Sequence, residues 1–140
     1  MPEDPKSLIR RLYEEVSAGN LAALDELLAD DVVEHEQFPG LEPNKDGVKQ
    51  FFAMFRSAFP DLRMEPHEML AEGDLGCARM TVTGTHRGEF MGMPPTGKRI
   101  EIEGIDIVRT RDGQATEHWG VMDAMAMMQQ LGAMPEQAPA

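Results

Sequence analysis

Lys98-Arg99-Ile100-Glu101-Ile102-Glu103-Gly104-Ile105-Asp106-Ile107-Val108-Arg109-Thr110-Arg111-Asp112-Gly113-Gln114-Ala115-Thr116-Glu117-His118-Trp119-Gly120-Val121-Met122 is the stretch on which the fold turns. From Ile100 to Glu103 apolar and charged residues alternate with a period of two, as in a strand with one buried face. Arg111-Asp112-Gly113 is a hairpin turn of the Asp-Gly type. Residues 98–110 and 114–122 are therefore the two arms of an antiparallel hairpin. The same period runs through residues 75–85, where Ala78, Met80, Val82 and Gly84 alternate with Arg79, Thr81, Thr83 and Thr85. Residues 64–71 make a further strand, ended by Gly73-Asp74.

Upstream the period changes to that of a helix. Asp4-Pro5 reads as an N-cap with proline in the first turn, and Leu8, Leu12 and Val16 with Ile9 and Tyr13 form a stripe that ends at Gly19. Asn20 caps a second helix with Leu21, Leu24, Leu27 and Leu28 on one face. Residues 30–35 are a short extended segment, and Phe38-Pro39-Gly40-Leu41-Glu42-Pro43 is a loop. A third helix runs from about Lys45 to Ala58, with Val48, Phe51, Phe52, Phe55 and Phe59 facing the core. Asp123 opens a last short helix that Gly132 ends. Helices gathered on one face of a twisted antiparallel sheet make an α+β domain whose sheet curls round an apolar pocket. One domain over residues 1–132 and a loose Pro/Ala-rich tail over 133–140 are expected.

Composition narrows the function classes. A net charge of −12 opposes phosphate backbones and anionic lipid, so neither nucleic acid nor membrane is expected as a partner. No apolar run reaches the roughly 20 residues of a spanning helix, and Met1 to Lys6 lack an apolar signal-peptide core, which points to the cytoplasm. The single Cys77 forms no internal disulfide. Twelve methionines suit core filling and also adaptable pocket walls.

The ionisable residues then matter. Strict period-two counting carries the inward face from Ile100 and Ile102 to Asp106 and Val108, whereas a bulge at Gly104 would turn Ile105 and Ile107 inward; spacing leaves both registers open. In the next strand His118, Gly120 and Met122 alternate with Glu117, Trp119 and Val121. His118 lies close to Asp123, and an imidazole–carboxylate pair at an apolar pocket can exchange a proton. Asp123 also stands where the last helix needs an N-cap, and an interior histidine can be merely structural. His35 ends the first extended segment between Glu34 and Glu36, and His86 enters a Gly/Met/Pro loop. No metal-ligand spacing, phosphate loop or nucleophile elbow is present, so no metal and no cofactor are expected.

Gly47-Val48-Lys49-Gln50-Phe51-Phe52, Ala58-Phe59-Pro60-Asp61-Leu62, Thr83-Gly84-Thr85-His86-Arg87-Gly88-Glu89-Phe90, Pro94-Pro95-Thr96-Gly97-Lys98, Gly104-Ile105-Asp106-Ile107 and Glu117-His118-Trp119 together resemble the SnoaL-like polyketide cyclase (ester cyclase) family. The resemblance runs from about Lys6 to Gly132. It implies the NTF2-like cone, a homodimer, a small hydrophobic ligand, and cofactor-free intramolecular aldol closure of a polyketide ester. Under it Asp123 is the best match to the acid/base carboxylate, with His118 and Asp106 as its partners. His35 and His86 would line the pocket mouth. Phe38, Phe51, Phe55, Met91 and Trp119 are the expected walls.

Two other functions compete. Epoxide hydrolysis on the same fold would need an Asp-Arg-Asp set, but alternation puts Arg99 and Arg109 opposite Asp106. A non-catalytic protein that binds a small apolar molecule would also use methionine walls. An isomerase of the ketosteroid type would need a pocket tyrosine, and Tyr13, the only one, lies on the first helix.

Overall fold

The computed structural model describes residues 4–134, which form four α-helices, one 3-10 turn and a five-stranded sheet. The expected tail lies, from residue 135 onward, outside the described residues. Helix α1 (Pro5–Ala18) starts where the Asp4 carboxylate accepts the Ser7 N–H at 2.9 Å, and it stops at Gly19 with φ 81°, a left-handed cap that suits glycine. Its buried stripe includes Leu8, Ile9, Tyr13 and Val16.

The second helix is shorter than the leucine spacing predicts. A 3-10 turn (Leu21–Ala23) leads into the single-turn α2 (Leu24–Leu27). Leu28 is already extended and opens β1 (Leu28–Glu34), because Leu28, Ala29 and Val32 bury themselves as strand residues. Helix α3 (Lys45–Ala58) is capped by Asn44, whose side chain accepts the Gly47 N–H at 3.0 Å. Phe51, Phe55, Phe59 and Phe90 then meet ring to ring, at centroid separations of 5.3 to 5.6 Å.

The remaining elements are β2 (Arg63–Glu72), β3 (Leu75–Thr85), β4 (Arg99–Arg111), β5 (Gln114–Met122) and α4 (Ala124–Leu131). Strand order is β1-β5-β4-β3-β2. The consecutive pairs from β2 to β5 are antiparallel, as the turns predict. β1 departs from that pattern. It joins the open edge of β5 in parallel, with Glu34 opposite His118.

The ladder between β3 and β4 settles the register at Gly104. It runs unbroken from Leu75 opposite Arg109 to Thr85 opposite Arg99, so no bulge intervenes. Ile100, Ile102, Asp106 and Val108 share the inner face, and Ile105 and Ile107 point outward, 45% and 37% exposed. Gly104 serves close packing instead: a Cβ there would stand 3.1 Å from the Val121 carbonyl oxygen and 3.3 Å from the Met80 sulfur.

Candidate functional site

Helix α1, strand β1, helix α3 and the inner face of β4 and β5 enclose a cavity of about 340 Å³. Most of its wall is apolar. Phe38, Phe51 and Phe55 line it, as do Met64, Met80 and Met122. Phe38 stacks on Phe51 at 4.2 Å, which ties the loop after β1 to α3.

A charged cluster interrupts the apolar wall where β1, β4 and β5 meet. His118 Nδ1 lies 2.6 Å from Glu34 Oε1, and its Nε2 lies 2.7 Å from Asp106 Oδ1. The Tyr13 hydroxyl donates to the other Asp106 oxygen. Glu34 Oε1 also accepts the Glu36 N–H at 2.8 Å, so one oxygen fixes both the histidine and the backbone that carries Glu36. Side-chain exposures of 22% for His118, 15% for Glu34 and 13% for Asp106 leave the cluster largely out of water.

Both imidazole nitrogens face carboxylate oxygens, and both can donate only when the ring is protonated. Burial works against that charge, but the hydrogen bonds to Asp106 and Glu34 outweigh it and lift the His118 pKa to about 10. His118 is thus an imidazolium at neutral pH. Burial, together with the charge of Asp106, pushes the Tyr13 phenol well above its usual range, so it remains a donor. Burial also raises Glu36; His118 pulls it down while Asp106 and Glu34 push it up, and the result is a pKa of about 7.

Sequence dictates this assembly locally. His118 and Asp106 lie on adjacent strands, with Asp106 directly opposite Gly120. A Cβ at Gly120 would stand 2.7 Å from Asp106 Oδ1 and 2.9 Å from His118 Nε2. Glycine is what lets the carboxylate lean across the ladder to the imidazole. Ligand-type atoms of Glu36, Asp106 and His118 lie within 4.8 Å of one another. His118 Nε2 and Asp106 Oδ1 are engaged with each other, while the Glu36 carboxylate stands beside them without a hydrogen bond to either.

Among the residues singled out from sequence, the structure brings together His118, Asp106, Phe38, Phe51 and Phe55. It places the others elsewhere. Asp123 is exposed and accepts the Ala126 N–H at 3.0 Å as the N-cap of α4, because the chain turns there from strand to helix. His35 and Trp119 stack on each other at 4.7 Å on the outer face, which Trp119 shares with Glu117 and Val121 by alternation along the end of β5. Arg109 sits 5.9 Å over Trp119 and pairs with Asp74 and Glu117. His86 is fully buried against Phe59, with Nδ1 accepting the Thr96 N–H at 3.2 Å; it pins the 88–97 loop. Met91 is 51% exposed on that loop and does not line the cavity.

Sequence reasoning missed Tyr13, Glu34 and Glu36. Tyr13 lies on the first helix, away from the strands in sequence, yet α1 crosses the inner face and points its hydroxyl at Asp106. Period-two alternation through Val32, Glu34 and Glu36 was the available signal for the two glutamates, with the buried Val32 marking the inner face. The epoxide-type set is not assembled: among the described residues no arginine or lysine lines the cavity. Nor is any helix among them long and apolar enough to cross a membrane.

The architecture and the sequence have known counterparts. Aklanonic acid methyl ester cyclase DnrD of Streptomyces peucetius is 32% identical over 136 residues, covering 89% of this chain and 88% of that one. Among solved structures, TsrD from Streptomyces laurentii superposes with a TM-score of 0.83 at 29% identity, over 92% of this chain and 95% of its own. IdmH from Streptomyces antibioticus gives 0.81 at 36% identity, over 93% and 99%. Residues 7–131 match the description SnoaL-like polyketide cyclase, nearly the whole described chain, and the protein belongs to that family.

Proposed function

We propose that the protein is a cofactor-independent enzyme of the cyclase type, acting on a neutral, apolar carbonyl compound of polyketide character by acid/base chemistry. The observation that carries this reading is the buried cluster Glu34–His118–Asp106–Tyr13 set into the wall of an otherwise apolar cavity. Such a cavity folds a flexible substrate so that its ends meet, which removes much of the entropic part of the barrier. Removing a proton from a carbon next to a carbonyl creates an enolate. The imidazolium of His118 favours that negative charge in a site with little water.

The cluster also constrains the substrate. His118 is the one cationic side chain among the described lining residues, and two carboxylates already face it. An anionic substrate would meet net negative charge, so an ester suits the cavity better than its free acid. That the relative DnrD is a methyl ester cyclase supports that preference. Under the same proposal the protein works in solution as a homodimer, which light scattering measures.

The test is turnover on a panel of polyketide-type methyl esters and their free acids. Expected are ring closure with the esters without added metal or cofactor, and loss of about 100-fold or more in kcat for Asp106→Asn. Tight binding of the esters with no product from any of them would make the protein a ligand-binding relative instead.

A further inference from the structure

Beside the cluster described above lies one carboxylate that it does not engage. His118 spends both nitrogens on Glu34 and Asp106. Asp106 spends one oxygen on His118 and the other on Tyr13. Glu34 holds His118 and the Glu36 N–H. The Glu36 carboxylate faces the same cavity, has a ligand-type atom within 4.8 Å of those of His118 and Asp106, and makes no hydrogen bond among the described residues. An imidazolium with both N–H groups engaged has no lone pair to take a proton, and an aspartate accepting on both oxygens is a poor base.

We propose that Glu36 is the catalytic base and acid of this site, and that His118, Asp106, Glu34 and Tyr13 form a positioning chain that sets its field. The assignment rests on the acid/base reading given above. In the step, a Glu36 oxygen takes the proton from a carbon flanked by two carbonyls, and the C–H pair becomes the enolate. The enolate carbon attacks a third carbonyl of the same molecule, forming a C–C bond as that C=O pair becomes an alkoxide. The alkoxide recovers the proton from Glu36. Nothing is oxidised or reduced, and the enzyme ends in its starting protonation state.

The groups facing Glu36 come from four elements: Tyr13 on α1, Glu34 on β1, Asp106 on β4 and His118 on β5. Burial with two carboxylates, tempered by one imidazolium, leaves Glu36 titrating near neutrality, where a group that both takes and returns a proton works best.

Deuterium exchange into the methylene of methyl benzoylacetate, followed by NMR in D2O with EDTA present, reads the proton step without requiring cyclisation. The expected result is exchange above the buffer rate, with a limb that rises through about pH 7 as Glu36 ionises. Glu36→Gln should slow exchange by about 100-fold or more and abolish that limb, while Glu36→Asp restores part of both. A melting curve shows that each variant folds. No exchange above buffer with the wild-type protein, or wild-type exchange with an unaltered pH limb in Glu36→Gln, overturns the assignment. Exchange with no ring closure of any polyketide ester leaves Glu36 standing and removes the cyclase reading alone.

Discussion

The chain contains the dipeptide Glu-His twice, at Glu34-His35 and at Glu117-His118, and the parallel pairing of β1 with β5 sets one against the other. On the inner face Glu34 meets His118 at 2.6 Å; on the outer face His35 meets Glu117 at 2.9 Å. The chemistry is the same, but the surroundings differ. The inner pair is backed by Asp106, Tyr13 and an apolar cavity, whereas the outer pair is backed by Arg109, Trp119 and water. Coulomb attraction grows as the effective dielectric falls, and so does the cost of leaving one partner alone. The inner pair should therefore govern stability and chemistry, while the outer pair should do neither.

Breaking the inner pair gives the largest expected effect. His118→Ala leaves Glu34 and Asp106 facing each other's charge with no cation between them. The expected cost at pH 6 is about 3–5 kcal/mol, measured by urea denaturation. The pH dependence has a definite sign. Because the folded His118 pKa is raised from 6.5 to about 10, its contribution is complete below about pH 6.5 and is lost as pH rises through about 10. The stability gap between wild type and His118→Ala should shrink across that window. A gap that stays constant from pH 6 to pH 10 would show that His118 acts by packing rather than charge.

A gentler change sharpens the same comparison. Gly120→Ala removes no charge but puts a methyl 2.7 Å from Asp106 Oδ1. Asp106 must swing away from His118, at an expected cost of about 1–3 kcal/mol in stability, and turnover should fall about tenfold or more. Retained turnover with wild-type stability would mean that the Asp106–His118 contact is dispensable. Asp123 falls outside both faces. Asp123→Ala should cost about 1 kcal/mol through the lost cap, and Asp123→Asn close to nothing, with turnover kept in both. A collapse of turnover in Asp123→Asn at unchanged stability would return that carboxylate to the chemistry.

Much of this fold is legible in local pattern. Asp4, Asn44 and Asp123 cap helices where cap chemistry places them, and the alternation of residues 75–85 and the Asp112-Gly113 turn fix three strands. The inner position of Asp106 was only half legible, since glycine marks both bulges and close approaches, and here the approach of the Val121 carbonyl and of Met80 accounts for the glycine. The rest of the site was hidden because it is made by non-local contact. Nothing within residues 28–36 shows that β1 will pair in parallel with the far edge of a later hairpin, and that pairing alone brings Glu34 to His118. Tyr13 reaches Asp106 across 93 residues of chain. Asp123 misled because an aspartate that caps a helix and an aspartate that moves protons look the same in sequence.

The smallest expected effect closes the comparison. His35→Ala removes a stacked ring and an ion-pair partner from the outer face, where His35 is 38% and Glu117 31% exposed. Glu117 keeps Arg109 at 3.0 Å, so its charge is not stranded. Exposed pairs of this kind are worth about 0–1 kcal/mol and weaken with salt. The variant should therefore unfold within about 1 kcal/mol of wild type and keep its kcat and KM, whereas the chemically matched loss at His118 is several-fold larger. Equal losses at His35 and His118 would mean that burial does not separate the two faces, and the inner cluster would then have no special claim to the chemistry.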